Sequence, residues 1–358
     1  MLSTRHGVDI LAGGTCCTAR QVRMKTLKSS DPRQVGDIRL SGRLGQGGMG
    51  TVYFGVTPDG DRVAVKMIRD ELTGKSGVRA RFDREIDILG MVQGPRVAGL
   101  IAAAGPDEVP QWFATEYVQG LTLAEYVQEQ GTLGQGHAAV LGVLLAEGLT
   151  EIHENDLLHR DLKPANVILG SDGPRVIDFG LAAFADRSGD ITQTSDAIGT
   201  PVCMAPEQAE NIRNLTTKAD VHALGAVLVF ATTGHYPYEG PTTPAIWHAL
   251  TDPGTEPNLS GVPEAIKPLI KRMLAHDPGE RPSVQEAADE LKAVPDTPTL
   301  YEFIKRTYIE RDTDPTSRAE ESPQAPRLRM PRQPHVPNDL VREVAEYLRH
   351  DYARGARL

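Results

Sequence analysis

Hydrophobic and polar positions along the chain change character near residue 38 and again near residue 295. From Ile38 to Ile68, short apolar and β-branched runs alternate with glycine-containing turns, a pattern typical of antiparallel strands. Apolar residues then recur at helical spacing over 78–92 and over 137–153, which predicts a helix in each stretch. The central part of the chain is therefore predicted to begin with strands and to continue mainly with helices.

The two ends of the chain lack this sustained pattern. Residues 1–35 are predicted to be a disordered extension, and we hypothesise that translation begins at Met24. Residues 295–337 are predicted to be a polar, proline-rich linker, and residues 338–358 an amphipathic helix. One short helical stripe interrupts the linker, formed by Leu300, Phe303, Ile304 and Tyr308.

Composition narrows the classes of function. The 358 residues suggest about two domains or lobes at roughly 150 residues each. With 38 basic and 48 acidic residues the net charge is −10, which argues against nucleic-acid binding through a basic face. The three cysteines show no metal-ligand spacing and indicate a reducing compartment. No apolar run approaches the roughly 20 residues that span a bilayer, so we expect a cytoplasmic protein without a membrane span.

The strongest candidate chemistry lies between His159 and Gly180. A turn, a β-branched run, a Ser-Asp-Gly-Pro turn and a second short strand predict a hairpin there. Asp161 and Asn166 stand at its start and Asp178 at its end. Two carboxylates and an amide at neighbouring strand ends can hold a divalent cation beside a hydroxyl that must lose a proton, because Mg²⁺ prefers a few oxygen ligands.

A glycine-rich sequence, Gly45-Gln-Gly-Gly-Met-Gly50, separates two predicted strands. Its G-x-G-x-x-G pattern alone also fits a dinucleotide-binding turn, but that turn must be followed by a helix. Here a strand, a Pro-Asp-Gly turn and another strand at 62–68 follow instead. This order favours a glycine hairpin whose backbone amides approach phosphates, because no β-carbon intervenes.

The strand at 62–68 carries a candidate phosphate ligand. Period-two alternation places Ala64 and Lys66 on the same face. In the predicted helix at 78–92, Glu85 lies on or beside the buried face, where a carboxylate needs a partner. Lys66 is the natural partner, so the two residues are predicted to form an ion pair.

Together these motifs resemble those of the bacterial eukaryotic-like (Hanks-type) serine/threonine protein kinases. The resemblance covers about residues 36–294 and implies an α+β, bilobal fold. A small β-rich lobe with one helix would span about 36–117, and a larger helical lobe about 118–294. The resemblance also implies ATP and Mg²⁺ as cofactors, with Mn²⁺ as an alternative ion, and protein serine or threonine hydroxyls as substrates.

The resemblance assigns catalytic roles residue by residue. Asp161 would accept the proton of the substrate hydroxyl, and Lys163 would stabilise the transferring phosphate. Asn166 and Asp178 would bind the metal ions, while Lys66 would bind the α- and β-phosphates of ATP. The remaining ATP contacts are assigned to Leu44, Gly45, Gln46, Gly47, Gly48, Met49, Gly50, Val52, Ala64, Thr115, Glu116, Val118 and Ile168.

Other matched positions have structural or docking roles by the same resemblance. His159 would pack with Phe179 and Leu89, and Asp220 would anchor the catalytic-loop backbone. In the peptide platform, Glu207 would pair with Arg281, and Thr200 together with Lys163 indicates serine or threonine substrates. Cys203 replaces the more usual tyrosine or tryptophan of that platform, either to fill space or to sense redox conditions.

The polar segment 185–198 is predicted to be a functional loop because it is long and has no core-forming pattern. We predict autophosphorylation at Thr192 and Thr194, within a transient kinase homodimer. A phosphate adds about −1.5 to −2 charges, so Arg160 could order the loop by pairing with it.

Two other functions remain as alternatives. A pseudokinase scaffold acting through the tail helix would be expected to have a broken catalytic motif, and every motif is intact. A small-molecule kinase would usually lack the Gly199-Thr-Pro to Ala205-Pro-Glu peptide platform, which this chain has.

Overall fold

The computed structural model describes residues 24–47, 50–68, 86, 90–105, 108–178, 201–210 and 215–310. All of them belong to the first of two compact units, residues 1–315, and the second unit comprises residues 316–358. The predicted helix at 78–92 lies almost entirely outside the described residues; Ile86, which is described, is helical and buried.

The first half of this unit is an antiparallel six-stranded sheet. Its strands are β1 (Gln34–Val35), β2 (Ile38–Gln46), β3 (Gly50–Val56), β4 (Arg62–Ile68), β5 (Leu100–Ala103) and β6 (Trp112–Glu116), in the order β1-β2-β3-β4-β6-β5. Along β4 the side chains of Val63 and Val65 are fully buried, as expected of alternate positions on a half-buried strand. The strands predicted from the sequence are thus confirmed.

The second half is mainly helical. Its helices are α1 (Leu123–Gln130), α2 (Gln135–His153), α3 (Pro206–Ala209), α4 (Thr217–Thr233), α5 (Thr243–Thr251), α6 (Lys267–Met273), α7 (Val284–Lys292) and α8 (Leu300–Thr307). A three-stranded sheet, β7 (Gly120–Thr122), β8 (Val167–Gly170) and β9 (Gly173–Val176), completes it. Helices α2 and α4 are apolar on most sides and form the centre of the largest core, to which Leu141, Leu145 and Leu224 contribute fully buried side chains.

The expectation of a disordered extension up to residue 35 is wrong for residues 24–35. Lys25 forms an isolated antiparallel bridge with Arg43, and Gln34 and Val35 pair with β2 as strand β1. Asp31 is buried against the sheet. The bridge between Lys25 and Arg43 and the hydrogen bond between Arg43 and Asp31 join residues distant in the sequence, which leave no local periodicity. Strand β1 is only two residues long and pairs with β2 across a short turn.

The expectation of a linker from residue 295 is likewise wrong for residues 300–307. A capping box at Thr299 and Glu302 starts helix α8, and Phe303 is fully buried in the same core as α2. The short apolar stripe in the sequence was therefore the signal of a docked helix. None of the helices in the described part of the chain has both the length and the apolar composition required to cross a bilayer.

Candidate active site

The predicted hairpin is present and brings the candidate residues to one place. Strands β8 and β9 pair antiparallel, with Ile168 opposite Arg175. Before β8, Pro164–Asn166 form a single 3₁₀ turn, and the Ile177 amide donates to the Asn166 carbonyl at 3.0 Å. Asp161 and Asn166 therefore lie at the start of the hairpin and Asp178 just after its end.

Asp161 is oriented by two neighbours. Lys163 Nζ lies 2.9 and 2.7 Å from its two carboxylate oxygens. Asn166 Nδ2 donates to Asp161 Oδ2 at 3.0 Å and to the Asp161 carbonyl at 2.8 Å. The Asp161 side chain is still 41% exposed, so a substrate group can reach a carboxylate whose direction is already fixed.

Asp220, on α4, holds the backbone that leads into Asp161. Its carboxylate accepts the amide N–H groups of His159 and Arg160, both at 2.9 Å, and lies 2.7 Å from His153 Nε2. Burial acts to raise the pKa of Asp220, but the hydrogen bond with His153 and the hydrogen bond from the Arg160 amide help to outweigh it and leave that pKa below its usual value. Arg160 has a φ of +62°, a left-handed conformation that costs about 1–2 kcal/mol, and the hydrogen bond from its amide to Asp220 helps to offset this cost.

His159 has the surroundings of a structural residue. It is fully buried, and burial lowers the pKa of its imidazole, which favours the neutral ring. Its Nδ1 accepts the Asp161 amide at 3.2 Å, while Nε2 has no partner among the described residues. The two residues predicted to pack on it, Leu89 and Phe179, lie outside the described part of the chain.

Lys66 reaches across from β4 to the end of the hairpin. Its Nζ lies 2.9 Å from Asp178 Oδ2, in a half-buried contact between the two halves of the unit. Asp178 has a φ of +60°, a left-handed conformation that is uncommon for residues other than glycine. The sequence did not predict this pairing, and the predicted partner of Lys66, Glu85, lies outside the described residues.

The residues assigned to ATP line neighbouring strands. Across the large sheet, Val52 pairs with Lys66, Ala64 with Thr115, and Gly45 with Val52. Gly47 donates its amide to the Gly50 carbonyl at 2.9 Å and closes the turn between β2 and β3. A β-carbon at Gly50 would collide with the Met67 carbonyl, which explains the glycine there.

The other described residues that were assigned to ATP also lie on strands or directly after one. Leu44, Gly45 and Gln46 end β2, Glu116 ends β6, the buried Val118 follows it, and Ile168 lies on β8.

One ion-pair network at this site was not predicted. Arg175 Nη1 lies 2.7 Å from Glu116 Oε2, and Arg175 Nη2 lies 2.6 Å from Asp172 Oδ2. Glu116 is the last residue of β6, whereas Arg175 and Asp172 belong to the β8–β9 hairpin. The network therefore ties the strand beside the candidate adenine position to the catalytic hairpin. Sequence spacing gives no signal for a pair 59 residues apart.

The predicted pair of Glu207 and Arg281 is confirmed. Arg281 Nη1 and Nη2 lie 2.7 and 2.8 Å from the two Glu207 oxygens, in a buried, bidentate arrangement. Cys203 is also buried, and burial raises the pKa of its thiol far above the usual range, which keeps it protonated. This favours the space-filling interpretation of Cys203 over redox sensing.

Several predicted site residues lie outside the described part of the chain. They are Gly48, Met49, Glu85, Leu89, Phe179, Thr192, Thr194 and Thr200. Their assigned roles stay predictions.

Comparison with known proteins gives consistent matches. The family model described as "Protein kinase domain" matches residues 38–291. The serine/threonine-protein kinase AfsK of Streptomyces coelicolor is 41% identical over 257 residues, which are 72% of this chain and 32% of AfsK. The probable serine/threonine-protein kinase PkwA of Thermomonospora curvata is 38% identical over 268 residues, 75% of this chain and 35% of PkwA. This chain thus spans about a third of the length of these relatives.

Among solved structures, the PknI kinase domain of Mycobacterium tuberculosis matches with a TM-score of 0.59 and 24% sequence identity. The match covers 74% of this chain and 98% of that domain. It confirms the predicted bilobal fold.

Proposed function

This chain belongs to the protein kinase family, in its bacterial Hanks-type serine/threonine branch, and we propose that it transfers the γ-phosphate of ATP to serine and threonine hydroxyls of proteins. One observation carries the proposal: the cluster of Asp161, Lys163 and Asn166 within hydrogen-bonding distance, at the start of the hairpin that ends in Asp178. Phosphoryl transfer depends mainly on such positioning and on charge stabilisation.

The oxygen donors at the hairpin ends fit a divalent cation. Asn166 uses its amide nitrogen to bond Asp161, which leaves its amide oxygen for a cation. Asp178 contributes a carboxylate that is 30% exposed. Family members use ATP with a divalent metal, and we propose Mg²⁺ here because it favours a few carboxylate or amide oxygens together with phosphate oxygens. Bound Mg·ATP would supply the phosphoryl group and neutralise its charge.

The chain's own residues would then perform three tasks. Asp161 would accept the proton of the substrate hydroxyl, a contribution worth about 10²–10⁴-fold in rate. Lys163, which already contacts both Asp161 oxygens, would stabilise negative charge on the transferring group. Lys66 would bind phosphate from the opposite side, with Asp178 holding its ammonium in the cleft.

Regulation through the segment between Asp178 and Cys203 is part of the proposal. Thr192 and Thr194 are the proposed autophosphorylation sites, modified within a transient homodimer, with Arg160 as the phosphate partner. Gln208 Nε2 donates to the Arg160 carbonyl at 2.6 Å, so the Arg160 backbone is fixed from two sides. An arginine on a fixed backbone suits this role because less ordering is needed when the phosphate arrives.

The test is phosphopeptide mass spectrometry after incubation with Mg·ATP and a serine- and threonine-containing acceptor protein. We expect phosphate on the wild type, on the acceptor and on the control variant Asp289→Asn, which changes an exposed aspartate of α7. Asp161→Asn should lower the rate by about 10²–10⁴-fold while leaving ATP binding intact.

Two outcomes would decide against the proposal. A wild type that binds ATP but phosphorylates neither itself nor the acceptor would support the scaffold alternative. Consumption of ATP only when small hydroxyl compounds are added would support a small-molecule kinase.

A further inference from the structure

Residues 24–31 contact the base of the glycine-rich loop, although they precede the residues that match the family. Lys25 donates its amide to the Arg43 carbonyl at 3.1 Å and accepts the Arg43 amide at 2.7 Å. Met24 covers Gly42 so closely that a β-carbon at Gly42 would collide with the methionine side chain. The segment therefore fixes β2 at the two residues that precede Leu44 and Gly45.

Arg43 stands at an irregular point of β2. The register between β2 and β3 shifts between Leu40 and Gly42 and again between Arg43 and Gly45. Such irregularities redirect a side chain out of the regular alternation of the strand. The Arg43 guanidinium turns toward residues 24–31, lies over the Tyr53 ring at 5.8 Å, and is only 13% exposed.

Asp31 is the ion-pair partner of the Arg43 guanidinium. Its carboxylate accepts Arg43 Nε at 2.6 Å and also bonds Arg43 Nη2. The Lys28 amide donates to it at 2.7 Å and the Tyr53 hydroxyl at 3.1 Å. Arg43 lowers the pKa of Asp31 to about 2, which agrees with a carboxylate held by several donors.

A further contact leads from this pair to the loop. Arg43 Nη1 donates to Gln46 Oε1 at 3.3 Å, and Gln46 is the last residue of β2. The next residue, Gly47, forms the hydrogen bond that closes the turn onto Gly50. A continuous set of contacts thus runs from Asp31 through Arg43 to the residue at which the glycine-rich loop begins.

We propose that Asp31 is a positioning residue for the phosphate-binding loop, acting through Arg43 and Gln46. The inference rests on the proposed function, because it takes this loop to hold the phosphates of ATP. It predicts that removing the Asp31 carboxylate weakens binding of the ATP phosphates, because the start of the glycine-rich loop loses its hydrogen bonds. Binding of adenine, between the strands and beside Val118, should not change.

The experiment measures dissociation constants by calorimetry for two ligands, the non-hydrolysable ATP analogue AMP-PNP with Mg²⁺, and adenosine. Asp31→Asn should weaken AMP-PNP binding about fivefold, or roughly 1 kcal/mol at 1.4 kcal/mol per tenfold, and leave adenosine binding unchanged. Asp37→Asn is the matched control, since Asp37 is an exposed aspartate six residues away with the same change of charge. It should bind both ligands like the wild type.

A double-mutant cycle tests the route of the effect. If Asp31 acts through Arg43, then Asp31→Asn combined with Arg43→Met should weaken AMP-PNP binding no more than Arg43→Met alone. Arg43→Lys serves if a larger substitution prevents folding: Arg43 is not among the assigned ATP contacts, and a lysine keeps a cation beside Asp31 but lacks the planar fork that also reaches Gln46. In that variant AMP-PNP binding should weaken and adenosine binding should not.

Four outcomes separate the explanations. Additive losses in the double variant, or equal losses for AMP-PNP and adenosine, would overturn the positioning role and leave Asp31 a stabilising residue only. Unchanged AMP-PNP binding in both Asp31→Asn and Arg43→Lys would overturn it as well. A wild type that binds neither ligand would instead overturn the proposed function, and this inference with it.

Discussion

Replacing Arg281 by methionine removes every donor of a buried guanidinium while keeping much of its volume. Arg281 has five N–H groups, and all five have partners. Nε donates to the Ala275 carbonyl at 2.7 Å, Nη1 to Glu207 and to the Lys218 carbonyl, and Nη2 to Glu207 and to the His276 carbonyl. The side chain has no exposed surface, so water cannot replace these partners.

The expected loss of unfolding free energy comes from the groups that the substitution leaves without a partner. Glu207, whose side chain is only 10% exposed, would keep its charge without a partner, and three carbonyls would lose a donor. Removing one partner of a buried ion pair costs about 3–5 kcal/mol. In a domain of this size that corresponds to a fall in Tm of about 6–20 °C, at roughly 2–4 °C per kcal/mol.

The assay is urea unfolding in a Trp112→Phe background, so that the fluorescence is that of Trp247, which lies in the same half of the molecule on α5. Arg272→Met is the matched control, because Arg272 pairs with Glu290 at the surface, where both side chains are about half exposed. Surface pairs contribute about 0–1 kcal/mol, so this variant should unfold almost like the wild type. Arg281→Lys should fall between the two, because a lysine keeps the charge but has three donors and no planar fork.

The reasoning would be refuted if Arg281→Met lost less than about 1 kcal/mol of unfolding free energy, the range of the surface control. It would also be refuted if Arg281→Lys were fully stable. Either result would mean that the buried guanidinium contributes through charge or volume and not through its five directed hydrogen bonds.

Three further predictions concern stability and reactivity. Phe303→Ala should lower the free energy of unfolding by about 3–5 kcal/mol in urea titrations, because a fully buried aromatic ring is lost, whereas the exposed Tyr301→Ala should change it by no more than about 0.5 kcal/mol. Cys203 should resist alkylation by iodoacetamide in the folded protein and react only in denaturant, as judged by peptide mass spectrometry, because burial raises the pKa of its thiol. The folded-state pKa of Asp31 is depressed, so its stabilising contribution is present above its ordinary value of 3.8 and is lost as the pH falls through about 2. The stability difference between wild type and Asp31→Asn should therefore shrink from pH 5 to pH 2, and a constant difference would contradict this.

Features fixed by local pattern or by a residue-by-residue resemblance could be predicted from the sequence. The hairpin around Asp161 and Asp178 has a turn and two β-branched runs that specify it locally. The Glu207–Arg281 pair was expected because both residues stand in recognisable motifs. Asp220 was expected to anchor the catalytic loop for the same reason.

Features that depend on long-range packing were missed. The pairing of Asp31 with Arg43 needs an irregular strand to redirect the arginine, and no spacing rule predicts that. The contact between Arg175 and Glu116 joins residues far apart in the chain that carry ordinary surface charges in the sequence. Helix α8 is a different case: its apolar stripe was visible, and the Thr299-x-x-Glu302 capping pattern before Phe303 could have identified it as a docked helix.

The burial of Phe303 limits where a truncated fragment of this protein can end. A recombinant fragment ending at residue 291, the last residue of the family match, would lack the ring that packs beside His137 and closes the apolar surface around α2. Exposed apolar patches of that kind promote self-association. We therefore expect fragments that end after Glu310 to remain monodisperse at concentrations where fragments ending at residue 291 aggregate. Apparent inactivity of the shorter fragment would then reflect a badly chosen boundary and not a defective active site.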